Sequence, residues 1–339
     1  MLRNTIIKST GRWICCAADR YRRLVRFYLL RRHGVKQVWN FPGMLNLARL
    51  SNPKNLLQGY FINFSRDADY PGPFDSQGIP LVEYGGLIGT RQNPWAVGHY
   101  ALANYQRYVE TGEEAYYKRF LKCAWWFVKR AEHWSGEGIA WTYDFSLCQP
   151  SVNLMVSCLA QAYGISVLLM AFMLEEGDEF LQIARGAFQT LVRPIQQGGC
   201  AEYDEEGNII FQEDSSLSVP YVLNGWIFAL LGVYDYSAVT EESSAWQLWT
   251  KGILSLQKYL PLYDCGYFSL YNLDRRTRLR NPASSFYHKV HILQLETLKY
   301  LTGEDIFGNY AIRWRKFLNS PVCRLRAMIQ KIVFKVLKY

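Results

Sequence analysis

From Pro94 onward the chain is written in paired helical periods, and that pairing restricts its fold more than any other feature. Trp95–Val109 and Glu114–His133 repeat apolar residues at three and four positions and break at Thr111-Gly112. Leu154–Leu174 and Glu179–Val192 break at 175–178, and two more pairs follow, Tyr221–Tyr236 with Glu241–Leu260 and Phe286–Leu301 with Ile306–Phe317. Between pairs lie stretches that read as strand or hairpin: 139–147, 198–212 with Glu206-Gly207-Asn208 at its turn, and 267–273. Alternation along 267–273 sets Tyr267, Ser269 and Tyr271 on one face and Phe268 and Leu270 on the other. Helix pairs at a loose period of about 60–70 residues predict a mainly α fold. Its form is an α/α toroid, an incomplete barrel of helix pairs with short β-hairpins at the cleft mouth.

The remaining segments differ in kind. Residues 41–93 are rich in Gly, Pro and Asn (NFPGM, SNPKN, YPGPFDSQGIPLVEYGG, RQNP) and predict loop with short strands ahead of a toroid over 94–318. Residues 1–36 hold ten Lys/Arg against one acid, Asp19, and residues 312–339 hold eight and none. The net charge of +9 therefore leaves the body between them at −8, which is not the pattern of a nucleic-acid binder. Apolar residues interleave with these cations, predicting basic amphipathic segments over 1–40 and 319–339 that either lie on an anionic membrane or dock on the body. Neither end holds an apolar run long enough to span a bilayer, and the N-terminus shows no clear signal peptide. The expected location is cytoplasmic, or peripheral on the inner face of the membrane. Eight cysteines without CxxC spacing and five scattered histidines predict reduced buried thiols and no metal.

The excursions between the last helix pairs concentrate tyrosine: SVPYVLNGWIFALLGVYDY (218–236), LPLYDCGYFSLYNL (260–273) and FYHKVHILQLETLKYLTG (286–303). These segments, with GIPLVEYGG (78–86), GHYALANYQRY (98–108) and SCLAQAYGISVLL (157–169), resemble the C-terminal helical domain of the D-glucuronyl C5-epimerases, from about residue 78 to 318. Members of that family convert glucuronic to iduronic acid within heparan-type chains. Three departures stand out. The β-rich domain that animal members carry after the GIPL segment is missing. The family's AQGQAIS followed by Arg-Ala reads AQAYGIS followed by Met170-Ala171, and its Glu-Tyr ahead of the LNG motif reads Glu213-Asp214.

Inverting C5 of a uronate removes a proton α to a carboxylate and returns one to the opposite face. The enzyme must neutralise the carboxylate and place an acid/base group on each face. A phenol, with an ordinary pKa of about 10, serves if a nearby cation favours its phenolate. The resemblance puts Tyr271, Tyr287 and Glu213 at the catalytic positions. The loop between the tyrosines holds four arginines, of which Arg275 and Arg278 are the candidates for gripping a carboxylate through their planar fork. His288, His291, Asn224 and Tyr267 complete the candidate substrate contacts, with the histidines and Asn224-Gly225 equally readable as structural. The epimerase-like reading calls for no cofactor. The partner implied is an anionic uronate-containing polysaccharide, with membrane contact and homodimerisation as further options. Two other functions fit the same residues: a uronate lyase, which expels the C4 substituent after the shared proton abstraction, and a non-catalytic glycan-binding or assembly subunit at the membrane.

Overall fold

The computed structural model describes residues 38–338 except 85–87, 144–154, 176, 215–219, 275 and 278. Four helical hairpins form its frame: α2 (Pro94–Thr111) with α3 (Glu114–Lys129), α4 (Cys158–Glu175) with α5 (Asp178–Val192), α6 (Leu223–Thr240) with α7 (Ser243–Tyr259), and α8 (Ser285–Thr302) with α9 (Asp305–Asn319). The first helix of each pair packs on the first helix of the next, α2 on α4, α4 on α6 and α6 on α8, while the second packs outside its partner. This is an α/α toroid with an inner ring of four parallel helices. The ring explains the composition of its members. Helices α4 and α6 are apolar on every side and buried over most of their length, whereas outer helices α5 and α7 bury one stripe. Helix α4 is long and apolar enough to cross a bilayer, but it lies inside this ring.

Glycines let the inner helices approach closely. A Cβ on Gly98 of α2 would stand 2.8 Å from Tyr163 Cβ, and one on Gly232 of α6 would stand 2.7 Å from Ala162 Cβ, both on α4. Caps fix where each helix begins. Asn93 accepts from the Ala96 amide ahead of Pro94 in α2, and Ser284 accepts from the Tyr287 amide at 3.3 Å in α8.

The segment ahead of α2 is not a separate layer. Strand β1 (Met44–Leu45) pairs with β2 (Ile62–Asn63), and together with α1 (Leu47–Ser51) they pack on α8, while the 3₁₀ turn Ser65–Asp69 packs on α2. This segment closes the ring between α8 and α2. Its Arg49 enters the core and pairs with Asp235 of α6, whose second oxygen accepts from Ser166 of α4 at 2.7 Å. Its Trp39 fits among Trp95, His99, Phe228, Phe286 and Tyr287.

Among the described residues five small antiparallel sheets decorate the frame. Besides β1–β2 they are β3 (Leu81–Glu83) with β4 (Thr90–Gln92), β5 (Glu132–His133) with β6 (Ile139–Ala140), β7 (Ala201–Tyr203) with β8 (Ile209–Phe211), and a three-stranded sheet of β9 (Tyr221–Val222), β10 (Leu270–Leu273) and β11 (Asn281–Pro282). Two expected strands are shorter than alternation implied. Of 139–147, only Ile139–Ala140 is strand, and residues 144–147 lie outside the described ones. Of 267–273, only Leu270–Leu273 is strand, because Cys265–Phe268 forms a turn in which the Cys265 amide donates to Phe268 O. A tenth helix, α10 (Pro321–Lys338), falls where the basic C-terminal helix is expected and packs on β11 and α9. Residues 1–37 of the basic N-terminal segment lie outside the described residues.

Candidate active site

Because the inner helices run parallel, their N-terminal ends face one mouth. Cys158, opening α4, sits 3.6 Å from Gly225 O in the first turn of α6. At the same mouth the hydroxyl of Tyr143, from the segment ahead of α4, donates to Asn93, the cap of α2, at 3.1 Å. Helix N-termini carry partial positive charge, so this end of the ring suits an anionic ligand.

Glu213 follows β8 and lies against the first turn of α6. Asn224 Nδ2 donates to its Oε1 at 2.9 Å, and Gln294 of α8 steadies Asn224 by donating to its carbonyl at 2.8 Å. Gly225 makes this seating sterically possible, because a Cβ there would collide with Glu213 Cγ and Oε1. The LNG motif is therefore a holder for Glu213. Asn224, expected as a substrate contact, is buried and spends its amide N–H on the glutamate. Burial pushes the Glu213 carboxyl up to about 8; the Asn224 bond opposes this and neighbouring Asp214 adds to it.

Tyr271 is aimed by a fault in the sheet. Leu270 pairs with Pro282 and Asn272 with Asn281, so one step on β11 matches two on β10 and Tyr271 is the extra residue. Tyr287 occupies the first turn of α8. The two rings meet edge to face with centroids 5.1 Å apart. Burial raises both phenols well above their ordinary value, and Glu213 raises each further. The structure thus brings Glu213, Tyr271 and Tyr287 together. Among the described residues the shifts run against the expectation of a cation-stabilised phenolate: both phenols are raised, and Glu213 is raised toward neutral pH.

The histidines are placed elsewhere. His288 and His291 are fully buried, with Ser269 Oγ between their Nδ1 atoms at 2.7 and 2.8 Å. The Ser269 amide donates to His288 Nδ1 at 3.0 Å, which makes Nε2 the protonated nitrogen that donates to Trp314 O at 2.9 Å. Phe268 stacks on His288 at 3.6 Å. Burial drives His288 down to about 3 and His291 well below its usual range. Both are neutral struts of the α8–α9 pair rather than substrate contacts. Tyr267 is also covered: Arg326 of α10 lies 4.4 Å from its ring centroid, and burial pushes its hydroxyl up to about 12. Phe268 and Ser269 both serve His288, so the expected split of faces fails there. Arg275 and Arg278 lie outside the described residues.

Three groups were not singled out from sequence. Lys331 of α10 stands 5.7 Å from the Tyr271 ring centroid and donates to Asn281 Oδ1 at 2.5 Å and Pro282 O at 3.1 Å. Burial lowers it to about 7, assisted by Lys335. Tyr163, where the chain departs from AQGQ, is fully buried among Tyr60, His99 and Phe228; burial raises its pKa, and Asp67, Tyr287 and Glu213 raise it further. Tyr143 and Tyr84 both bond Asn93 beside the mouth, in a small cluster with Trp95 and Met155. The Asn-Pro cap before α2 and the altered AQAYG were their only marks in the sequence.

Fold and site together define a toroid whose mouth carries one carboxyl with a raised pKa beside two phenols, a set suited to moving protons on a weak carbon acid. The family profile for the D-glucuronyl C5-epimerase C-terminus matches residues 135–316, more than half of the chain, and the chain belongs to that family. It is 31% identical over 173 residues to a D-glucuronyl C5-epimerase of Caenorhabditis elegans; that match covers 47% of this chain and only 28% of the nematode protein. An uncharacterized protein of Methanocaldococcus jannaschii is 28% identical over 271 residues, which span 73% of this chain and 86% of the archaeal one. A solved GH76 α-mannanase from Bacteroides thetaiotaomicron aligns over 73% of this chain and 71% of its own, at 9% identity with a TM-score of 0.47.

Proposed function

We propose that this chain inverts C5 of D-glucuronic acid residues in a polysaccharide, giving L-iduronic acid. The observation that carries the reading is the grouping of Glu213, raised to about 8, with Tyr271 and Tyr287 at the positive ends of the inner helices. Ionised Glu213 takes the C5 proton, and the C5–H electron pair passes into the enolate of the uronate carboxylate. One phenol returns its proton to the opposite face, which closes the new C5–H bond and leaves a tyrosinate. Glu213, now protonated, is the stronger acid, so proton transfer from it to the tyrosinate runs downhill and resets both groups. The buried tyrosines stay neutral until that step. Nothing in the cycle calls on a cofactor.

The test is deuterium uptake at C5 of a uronate oligomer in heavy water, for wild type and Tyr287→Phe at equal folded concentration. Uptake by the wild type, falling by about 10²–10⁴-fold in the variant, is the expected result. Full uptake by the variant makes Tyr287 structural. An unsaturated product with a broken chain makes the protein a lyase, and no uptake on any uronate polymer makes it a binding subunit.

A further inference from the structure

Helix α10 has two faces of different kinds. The inner one is built into the protein: Ala327, Met328 and Phe334 are buried, and Lys331 bonds Asn281 and Pro282 on β11. The outer one carries Val322, Leu325, Ile329, Val333 and Val336, recurring every three or four residues, and all are open to solvent, with Val322 74%, Ile329 53% and Val336 60% exposed. At 3.6 residues per turn these five fall within about 80°, under a quarter of the helix circumference. Single exposed apolar residues are ordinary; a continuous stripe of them marks an interaction surface. We propose that this stripe docks the protein on the surface of an anionic lipid bilayer, an inference that stands apart from the reaction above.

Charge selects the occupant. Helix α10 carries Arg324, Arg326, Lys335 and Lys338 besides the inward Lys331 and no acid, and Arg313, Arg315 and Lys316 precede it on α9. Lys338, Arg313 and Arg315 are paired with Asp274, Asp264 and Glu296, which leaves the surface cationic on balance. A second copy of α10 would meet this face with the same sign of charge, and so would residues 1–36 with their ten Lys/Arg and one acid. Anionic headgroups meet it with the opposite sign. Long cationic side chains beside the stripe can reach those headgroups while the valines, leucine and isoleucine enter the acyl boundary. The docked helix would hold the strand that bears Tyr271 near the membrane, since Lys331 ties α10 to that sheet.

Full-length protein and the double variant Ile329→Gln/Val333→Gln are sedimented with vesicles of phosphatidylcholine alone and of phosphatidylcholine mixed with phosphatidylglycerol. Both substituted side chains face solvent, and a thermal melt checks that the fold is kept. Wild type is expected to bind the mixed vesicles, less so at high salt, and the variant to lose about tenfold in partitioning. Equal binding by the two proteins overturns the proposal and shifts lipid contact to another surface. Absence of vesicle binding, with the variant dissociating a dimer in analytical ultracentrifugation, overturns it in favour of a second copy.

Discussion

Helix α6 holds a buried carboxylate toward each end of its length, and the two are treated oppositely. Asp235, late in the helix, is matched: Arg49 and Ser166 bond its two oxygens, so although burial pushes it up to about 6, the guanidinium beside it holds the charge in place. Glu213, at the first turn, has an amide from Asn224 and a second acid, Asp214, as its neighbours, and burial carries it up to about 8. A buried acid whose charge is fully answered ties three elements together and does no chemistry. One given a holder but, among the described residues, no counter-ion is left able to exchange a proton near neutral pH.

The contrast can be broken from either side. Glu213→Gln keeps the shape and the Asn224 contact but removes the titrating oxygen; C5 exchange should fall by about 10²–10⁴-fold with the melting temperature nearly unchanged. Asp235→Asn should do the reverse. It strands the Arg49 charge in the core and should cost about 3–5 kcal/mol in urea unfolding, whereas Arg49→Met with Asp235→Leu should recover most of that loss. Gly225→Ala pushes on the Glu213 side chain directly, and should lower exchange at a cost of about 1–3 kcal/mol from overpacking. A separate effect is on pH dependence. The folded pKa of Glu213 lies above its ordinary 4.5, so the folded state binds the proton more tightly, and this contribution to stability is lost as pH rises from 4.5 through about 8. Wild type should lose up to about 1.4 kcal/mol per pH unit relative to Glu213→Gln across that window, measured by paired unfolding curves.

Much of this was legible in the sequence, for physical reasons that also mark where reading stops. Apolar repeats at three and four positions identify helices whatever they pack on, so the hairpin pairs from Pro94 onward are found near their expected bounds. Tyr271, Tyr287 and Glu213 carried the family motifs; the two tyrosine rings meet, and Glu213 lies near enough to raise both phenols. His288 and His291 sit one turn apart on the same helix start as Tyr287, yet face Ser269 and Trp314, since helical spacing gives a relative direction and not which side is core. Asn224 could not be assigned to Glu213 without knowing that β8 ends over α6. Arg49 and Asp235 lie 186 residues apart, and no local pattern announces a buried pair at that distance.

The most direct test of the contrast is an infrared or carbon-13 titration of the Glu213 carboxyl, assigned by the signal that disappears in Glu213→Gln. A midpoint near 8 would show a carboxyl kept protonated by its surroundings and ready to exchange. A midpoint at its ordinary 4.5 would mean that Glu213 is solvated like any surface acid, and the proton-transfer role assigned to it would fall.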